Sequence, residues 1–335
     1  MSVLTQAHFH DEAAAFEMVE SIVWPNGPVC PHCGGKERIY VLKGVRSKPS
    51  QKNPKGVERH GLKKCGHCRK QFTCRIGTVF EDSHIPLHLW LQAFHLLCSS
   101  KKGISSHQLH RVLEIKYQSA WHLSHRIREA MRSGALAPMG GNGTSGIVEA
   151  DETYFGKVAV PRTTRTDGTP FLKGGARGPA NKRAVVALVE RGGEVRSAHV
   201  DRVDKATVAK IVNENVSREA RLMTDESRLY TGSDVAEHQT VHHAAEEYVR
   251  YEEGREPIHT NTIEGYFSIF KRGMKGVYQH CSEKHLHRYL AEFDFRYNNR
   301  IAKHVDDRQR TKKAVAGVRG KRLLYRGPDE ASTEA

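Results

Sequence analysis

Two cysteine pairs constrain this chain more than any other feature. Cys30-Pro31-His32-Cys33 is answered by Cys65-Gly66-His67-Cys68. Two Cys-x-x-Cys knuckles suit a tetrahedral Zn2+, whose charge the thiolates neutralise and whose surface they enclose. Four protein sulphurs leave no open coordination position, so Cys30, Cys33, Cys65 and Cys68 are expected to hold a structural ion rather than a catalytic one. Cys74 reads as a buried thiol. Metal is preferred to disulfides because of the compartment. The first residues lack the basic start and apolar core of a secretory signal, and no apolar run is long enough to span a membrane. The chain is expected in the cytoplasm, with no membrane partner.

The segments around the pairs add a second theme. Phe9, Ala13, Phe16, Val19 and Ile22 repeat near helical spacing, up to Trp24-Pro25. Lys43, Arg46, Lys48, Lys52, Lys55 and Arg59 make the stretch between the knuckles basic, and it reads as a mobile loop. Gln71-Phe72-Thr73 closes a zinc ribbon. Pro86 opens a helix through about Cys98, Ser105 caps one through Leu113, and Tyr117 to Met131 forms a third. The short helix, tight turn and longer polar-faced helix suit a helix-turn-helix whose second helix enters the major groove. Gln118, His122 and Arg126 are its candidate DNA contacts. A net charge of +15 with 21 histidines favours a polyanionic partner, nucleic acid first, over a merely solvated basic surface.

A Gly-rich stretch from Ser133 to Gly146 then separates the chain into parts. The expected parts are an N-terminal helix and ribbon over 1–82, a helical region over 83–140, a catalytic domain over 146–302, and a flexible basic, then acidic, tail over 303–335. In the third part, Ile147, Glu149 and Asp151 share one face of a strand that ends in acid, with Val148 and Ala150 on the other. Arg183 to Val189 and Val195 to Val200 form a hairpin, and a helix follows from Asp204. Arg221 to Asp225 is a second strand ending in acid. Helix is expected over 226–236, a short strand over 240–243, and helices over 261–272 and 284–298. This is the element order of a ribonuclease H-like α/β core.

In such a core Asp151 and Asp225 meet at one rim, and Glu264 lies across them on a helix. Taken singly, Asp225 reads as a cap or turn residue and Glu264 as a solvated helix acid. Together the three would repel unless cations neutralise them. Mg2+ prefers oxygen donors and suits an open carboxylate cluster, where two ions serve phosphodiester displacement.

At Val148-Glu149-Ala150-Asp151-Glu152-Thr153-Tyr154, His259 through Gly265, Lys271-Arg272-Gly273 and Lys284 through Leu290, the chain resembles the bacterial DDE insertion-sequence transposases. The subgroup resembled has an N-terminal zinc ribbon and an ISXO-like catalytic domain, and the likeness runs from about residue 15 to residue 302. It implies that Asp151 and Asp225 bind Mg2+ or Mn2+. It leaves the third position to Glu264 or Asn261, of which Glu264 is the better ligand chemically. It also implies that Lys271 and Arg272 steady DNA. The implied activity is cleavage at terminal inverted repeats of double-stranded DNA and strand transfer to a target, by at least a dimer assembled on DNA in the nucleoid. Two rivals remain: a non-catalytic DNA-binding regulator derived from a transposase, and a ribonuclease H-like nuclease without strand transfer.

Overall fold

A computed structural model describes residues 3–51, 53–134, 136–141, 146–161, 164–170 and 181–323. The chain forms two compact units, residues 1–132 with 304–335, and residues 133–303.

In the first unit, α1 (Glu12–Val23) starts where the Asp11 carboxylate accepts the Ala14 N–H. The ribbon is a small antiparallel sheet, β1 (Ile39–Val41), β2 (Lys63–Cys65) and β3 (Gln71–Phe72), in that order. The basic stretch between the knuckles, expected to be mobile, is a closed hairpin. Arg46 pairs with Glu58 across it, and the Arg46 side chain donates to the Lys55 and Gly56 carbonyls. Residue 52 of that stretch lies outside the described residues. Helix α2 (Leu87–Ser99) buries Leu87, Trp90, Leu91, Phe94 and Leu97. Pro86 cannot cap it, so Glu12 does, accepting the Leu87 and His88 N–H groups. Helices α3 (Ser106–Val112, capped by Ser105) and α4 (Tyr117–Met131) follow.

The second unit is built on a five-stranded sheet of order β6-β5-β4-β7-β8. Its strands are β4 (Ile147–Phe155), β5 (Arg183–Glu190), β6 (Val195–Val200), β7 (Arg221–Thr224) and β8 (Glu237–Thr240). β4, β5 and β6 form an antiparallel meander; β7 and β8 add parallel to β4. Helix α5 (Lys205–Asn215) covers one face, burying Val208 and Val212 against Val148, Ala150, Val186 and Leu188. Helices α6 (Asn261–Gly273) and α7 (Leu286–Asn298) cover the other with Ile263, Phe267, Phe270, Leu290 and Phe293. This strand order and helix placement make the unit a ribonuclease H-like α/β core.

Two expected elements differ. Residues 226–236 are not a helix but a single 3-10 turn, Arg228–Tyr230, because Gly232 at φ 86° turns the chain. The next strand is 237–240 rather than 240–243. It is a polar edge strand whose Glu237 and His238 pair with Arg221 and Thr224, so hydrophobic alternation does not announce it.

Asp294 pins α7 and α6 to β6. Its buried carboxyl accepts the Ser197 N–H and hydroxyl and the Tyr266 hydroxyl. Burial pushes its pKa up to about 7. Raised above the unfolded value, such a group contributes most below about pH 4, and that contribution is lost as pH rises through 7. Replacing Asp294 by Asn should remove this loss. In thermal melts the variant should gain on the parent between pH 5 and pH 8, by on the order of a few kcal/mol.

The chain then returns to the first unit in α8 (Asp307–Ala316), opened by a capping box of Asp306 and Gln309. The expected flexible tail is therefore ordered over this helix. Its buried residues are Arg310, Thr311, Ala314 and Val315, and Arg310 donates to the Cys98 carbonyl. A stripe with two small apolar residues among six charged or amide neighbours carries almost no periodic signal. Residues 324–335 of that expected tail lie outside the described residues.

Candidate active site

The four knuckle cysteines converge. Their sulphurs all lie within 4.8 Å of one another, with Cys30–Cys68 and Cys33–Cys65 each 3.6 Å apart. Each pair is followed, four residues after its first cysteine, by a residue in the left-handed region, Gly34 (φ 73°) and Arg69 (φ 62°). That turn folds the loop back so both sulphurs of a pair face inward. The set fits tetrahedral Zn2+ in sulphur number and spacing. Cys74 stays outside it, its thiol pushed up to about 12 by burial.

The acids sit elsewhere and more openly. The parallel register pairs Ile147 with Arg221 and Glu149 with Met223. Continued by two residues, it sets Asp151 opposite Asp225 at the inter-strand spacing of roughly 5 Å. Asp151 was expected at the end of its strand, yet β4 runs on to Phe155. The rim exists because the neighbour β7 stops at Thr224, leaving that side of Asp151 open. Burial and then the charges of Glu152, Asp225 and Glu264 push Asp151 up to about 7.

Asp151 and Glu264 line one cleft of ≈ 680 Å³ with Glu152, Ser268, Lys271, Arg272 and Lys275. Glu264 accepts a 3.0 Å hydrogen bond from the Thr260 hydroxyl and has His243 Nε2 at 3.7 Å. Asp225 accepts the Ser227 N–H, and Asn261 is exposed at the start of α6; neither lines the cleft. The carboxylates of Asp151, Asp225 and Glu264 do not gather within the 4.8 Å that the sulphurs meet; among the described residues no other such group does.

Reasoning from sequence missed what holds this site up. Glu149, placed only as sharing a face with Asp151, is fully buried and takes hydrogen bonds from Thr262, Ile263 and Arg191. Glu152 accepts the hydroxyl of the buried Tyr230 at 2.8 Å. Alternation put Glu149 on the face that carries Asp151, opposite Val148 and Ala150, so nothing local marked it as fully buried.

The helix-turn-helix reading needs one correction. Arg126 is buried, packs over the Trp90 ring, and donates to the Glu81 and Leu323 carbonyls. It is spent inside the unit and cannot reach DNA. The segment after α8 covers this side of α4; Lys321 there caps the Ala130 and Arg132 carbonyls. His122 is half-buried, and Gln118 is exposed beside His110, Arg111, Lys116 and Tyr117 at the α3–α4 turn.

Comparison with known proteins adds three findings. Residues 143–298 match the ISXO2-like transposase domain, and residues 10–71 match the transposase zinc-ribbon domain. An uncharacterized protein in transposable element ISH50 of Halobacterium salinarum is 26% identical over 298 residues, 86% of this chain and 91% of its own. Among solved structures, the Mos1 transposase paired-end complex with left transposon end is 12% identical, covering 68% of this chain and 74% of its own, at a TM-score of 0.26. The Mos1 mariner paired end complex with Mn is 12% identical over 67% and 73%, also at 0.26. Overlaps this loose say nothing further about the site. No described helix is long and apolar enough to cross a membrane.

Proposed function

This chain belongs to the insertion-sequence transposases that carry a zinc ribbon ahead of an ISXO2-like domain, and from that premise we propose that it cuts double-stranded DNA at the ends of its element and joins them to a target. The supporting observation is that Asp151 and Glu264 face one cleft whose wall continues into Lys271, Arg272 and Lys275. Acid for a divalent cation and base for a phosphate backbone thus occur in one opening.

Asp151, Asp225 and Glu264 are the donors for Mg2+ or Mn2+, with Asn261 as the alternative third. When bound, the cation supplies activation of the attacking oxygen and neutralisation of the leaving one. The protein's own part is to hold acids together that repel. Lys271, Arg272 and Lys275 hold backbone phosphates along the cleft. In the first step water displaces the 3′-oxygen at the element end. In the second the freed 3′-hydroxyl displaces a 3′-oxygen of the target by the same in-line substitution.

Recognition of the inverted repeats falls to the first turn of α4 around Gln118, where a recognition helix presents its base contacts. Two ends must be held at once, so the working form is at least a dimer on DNA, associated with the nucleoid. Labelled element ends incubated with the protein, Mg2+ and a target plasmid test the whole reading. Joined product is expected. Cutting without joining would leave a nuclease, and binding alone would leave a regulator.

A further inference from the structure

We propose that Glu149 is a positioning residue: from beneath the cleft it anchors the first turn of α6 and thereby sets where Glu264 stands relative to Asp151. The proposal rests on the reading above for its activity measurements, and on the fold alone for one further measurement.

The anchor follows from what α6 lacks. Its N-cap, Thr260, gives the helix no side-chain cap; the Thr260 hydroxyl instead donates to Glu264. The first N–H groups of a buried helix need acceptors. Glu149 provides them from across the sheet, 113 residues earlier in the chain. One oxygen accepts the Thr262 and Ile263 N–H groups at 2.9 and 3.0 Å, and the other accepts the Thr262 hydroxyl at 2.8 Å. A carboxylate at this end also complements the helix dipole.

The same carboxylate is held from behind. Arg191 Nε donates to it at 2.7 Å, and the other nitrogens of Arg191 donate to the Pro257 and His259 carbonyls. His259 Nδ1 lies 3.2 Å from it. The pair therefore clasps both the approach to α6 and its first turn. Asp151 stands two residues further along β4 on the same face, roughly 7 Å away. One strand thus carries an acid for the cation and the acid that locates the helix bearing another. A displacement of about 1 Å at a reacting centre costs on the order of 100-fold in rate.

The full-length protein with Glu149→Gln tests this. The expected result is a cleavage rate down about 100-fold, with end binding changed less than about twofold and more Mg2+ needed for half-maximal rate. The double variant with Glu264→Gln should cut no more slowly than Glu264→Gln alone, because a residue acting through Glu264 has nothing left to position. Losses that multiply, or a Glu149→Gln protein that cuts at near-parental rate, would overturn the proposal. If Glu149→Gln does not fold, Thr262→Val removes a single hydroxyl contact. It should give a smaller loss with the same lack of additivity, and additivity would again overturn the proposal. Amide exchange separates this inference from the proposed function, since it needs no activity. Faster exchange confined to Thr262 and Ile263 in the variant supports the anchor, and unchanged exchange there overturns it, whether or not the parent protein cuts DNA.

Discussion

Asp151→Asn and Asp225→Asn are each expected to lower strand cleavage at least about a thousandfold while element-end binding stays at the parental level. The amide keeps the shape and removes the charged donor that a hard cation requires. A second, independent readout comes from the acid cluster itself. Asp151 is half-buried and feels Glu152, Asp225 and Glu264, so without divalent cation it repels its neighbours. Asp151→Asn removes that repulsion. The variant should melt no lower than the parent without Mg2+, and should gain little from adding it, whereas the parent gains stability by mass action. Retained cutting would take the residue out of the site. The third position is decided in the same assay by Glu264→Gln against Asn261→Ala. Glu264 faces the cleft and acts on Asp151, whereas Asn261 is exposed outside that wall. The Glu change should therefore cost more, and a greater loss from the Asn change would reverse the order.

What could be read in advance follows from which forces leave a local signature. Period-two alternation assigned Val148 and Ala150 to one face and Ile147, Glu149 and Asp151 to the other, and the structure agrees. The cap at Ser105 and the helix start at Asp204 were legible because a short polar side chain at a helix start has a local partner. Tertiary partners leave no such mark. Arg126 looks like a DNA contact until a segment nearly 200 residues away covers it. The α8 stripe is too weakly apolar to stand out from its charges, and β8 is an edge held by polar pairs. Glu149 is the instructive case. Its face was assigned from the pattern, but its partners Arg191, Thr262 and Ile263 are brought to it only by the sheet and the helix that crosses it. The position of Asp151 was misjudged for a related reason: its exposure depends on where β7 ends, not on where its own strand ends.

Cys65→Ser is expected to abolish zinc binding and unfold the ribbon while the second unit melts as before. The ribbon strands hold three, three and two residues. Its core is Cys30, Cys65 and Phe72, with Trp24, Ile39, Cys68 and Ile76 packed around them. That is far too little apolar surface to order a sheet unaided. Most of its stability must then come from the ion, whose binding to four thiolates is worth on the order of 10 kcal/mol in small zinc domains. Serine at position 65 is a poor ligand for a borderline-soft metal. It also sits where β2 leads into the second knuckle, so both the site and the strand lose their tie. Metal analysis should fall from one zinc per chain to none, and chelation of the parent should reproduce the same loss of ribbon structure. Cys74→Ser is the control. That thiol is buried and pushed up to about 12, outside the sulphur cluster, so its loss should leave the zinc content at one. Unchanged zinc in Cys65→Ser, or loss of zinc in Cys74→Ser, would require a different ligand set.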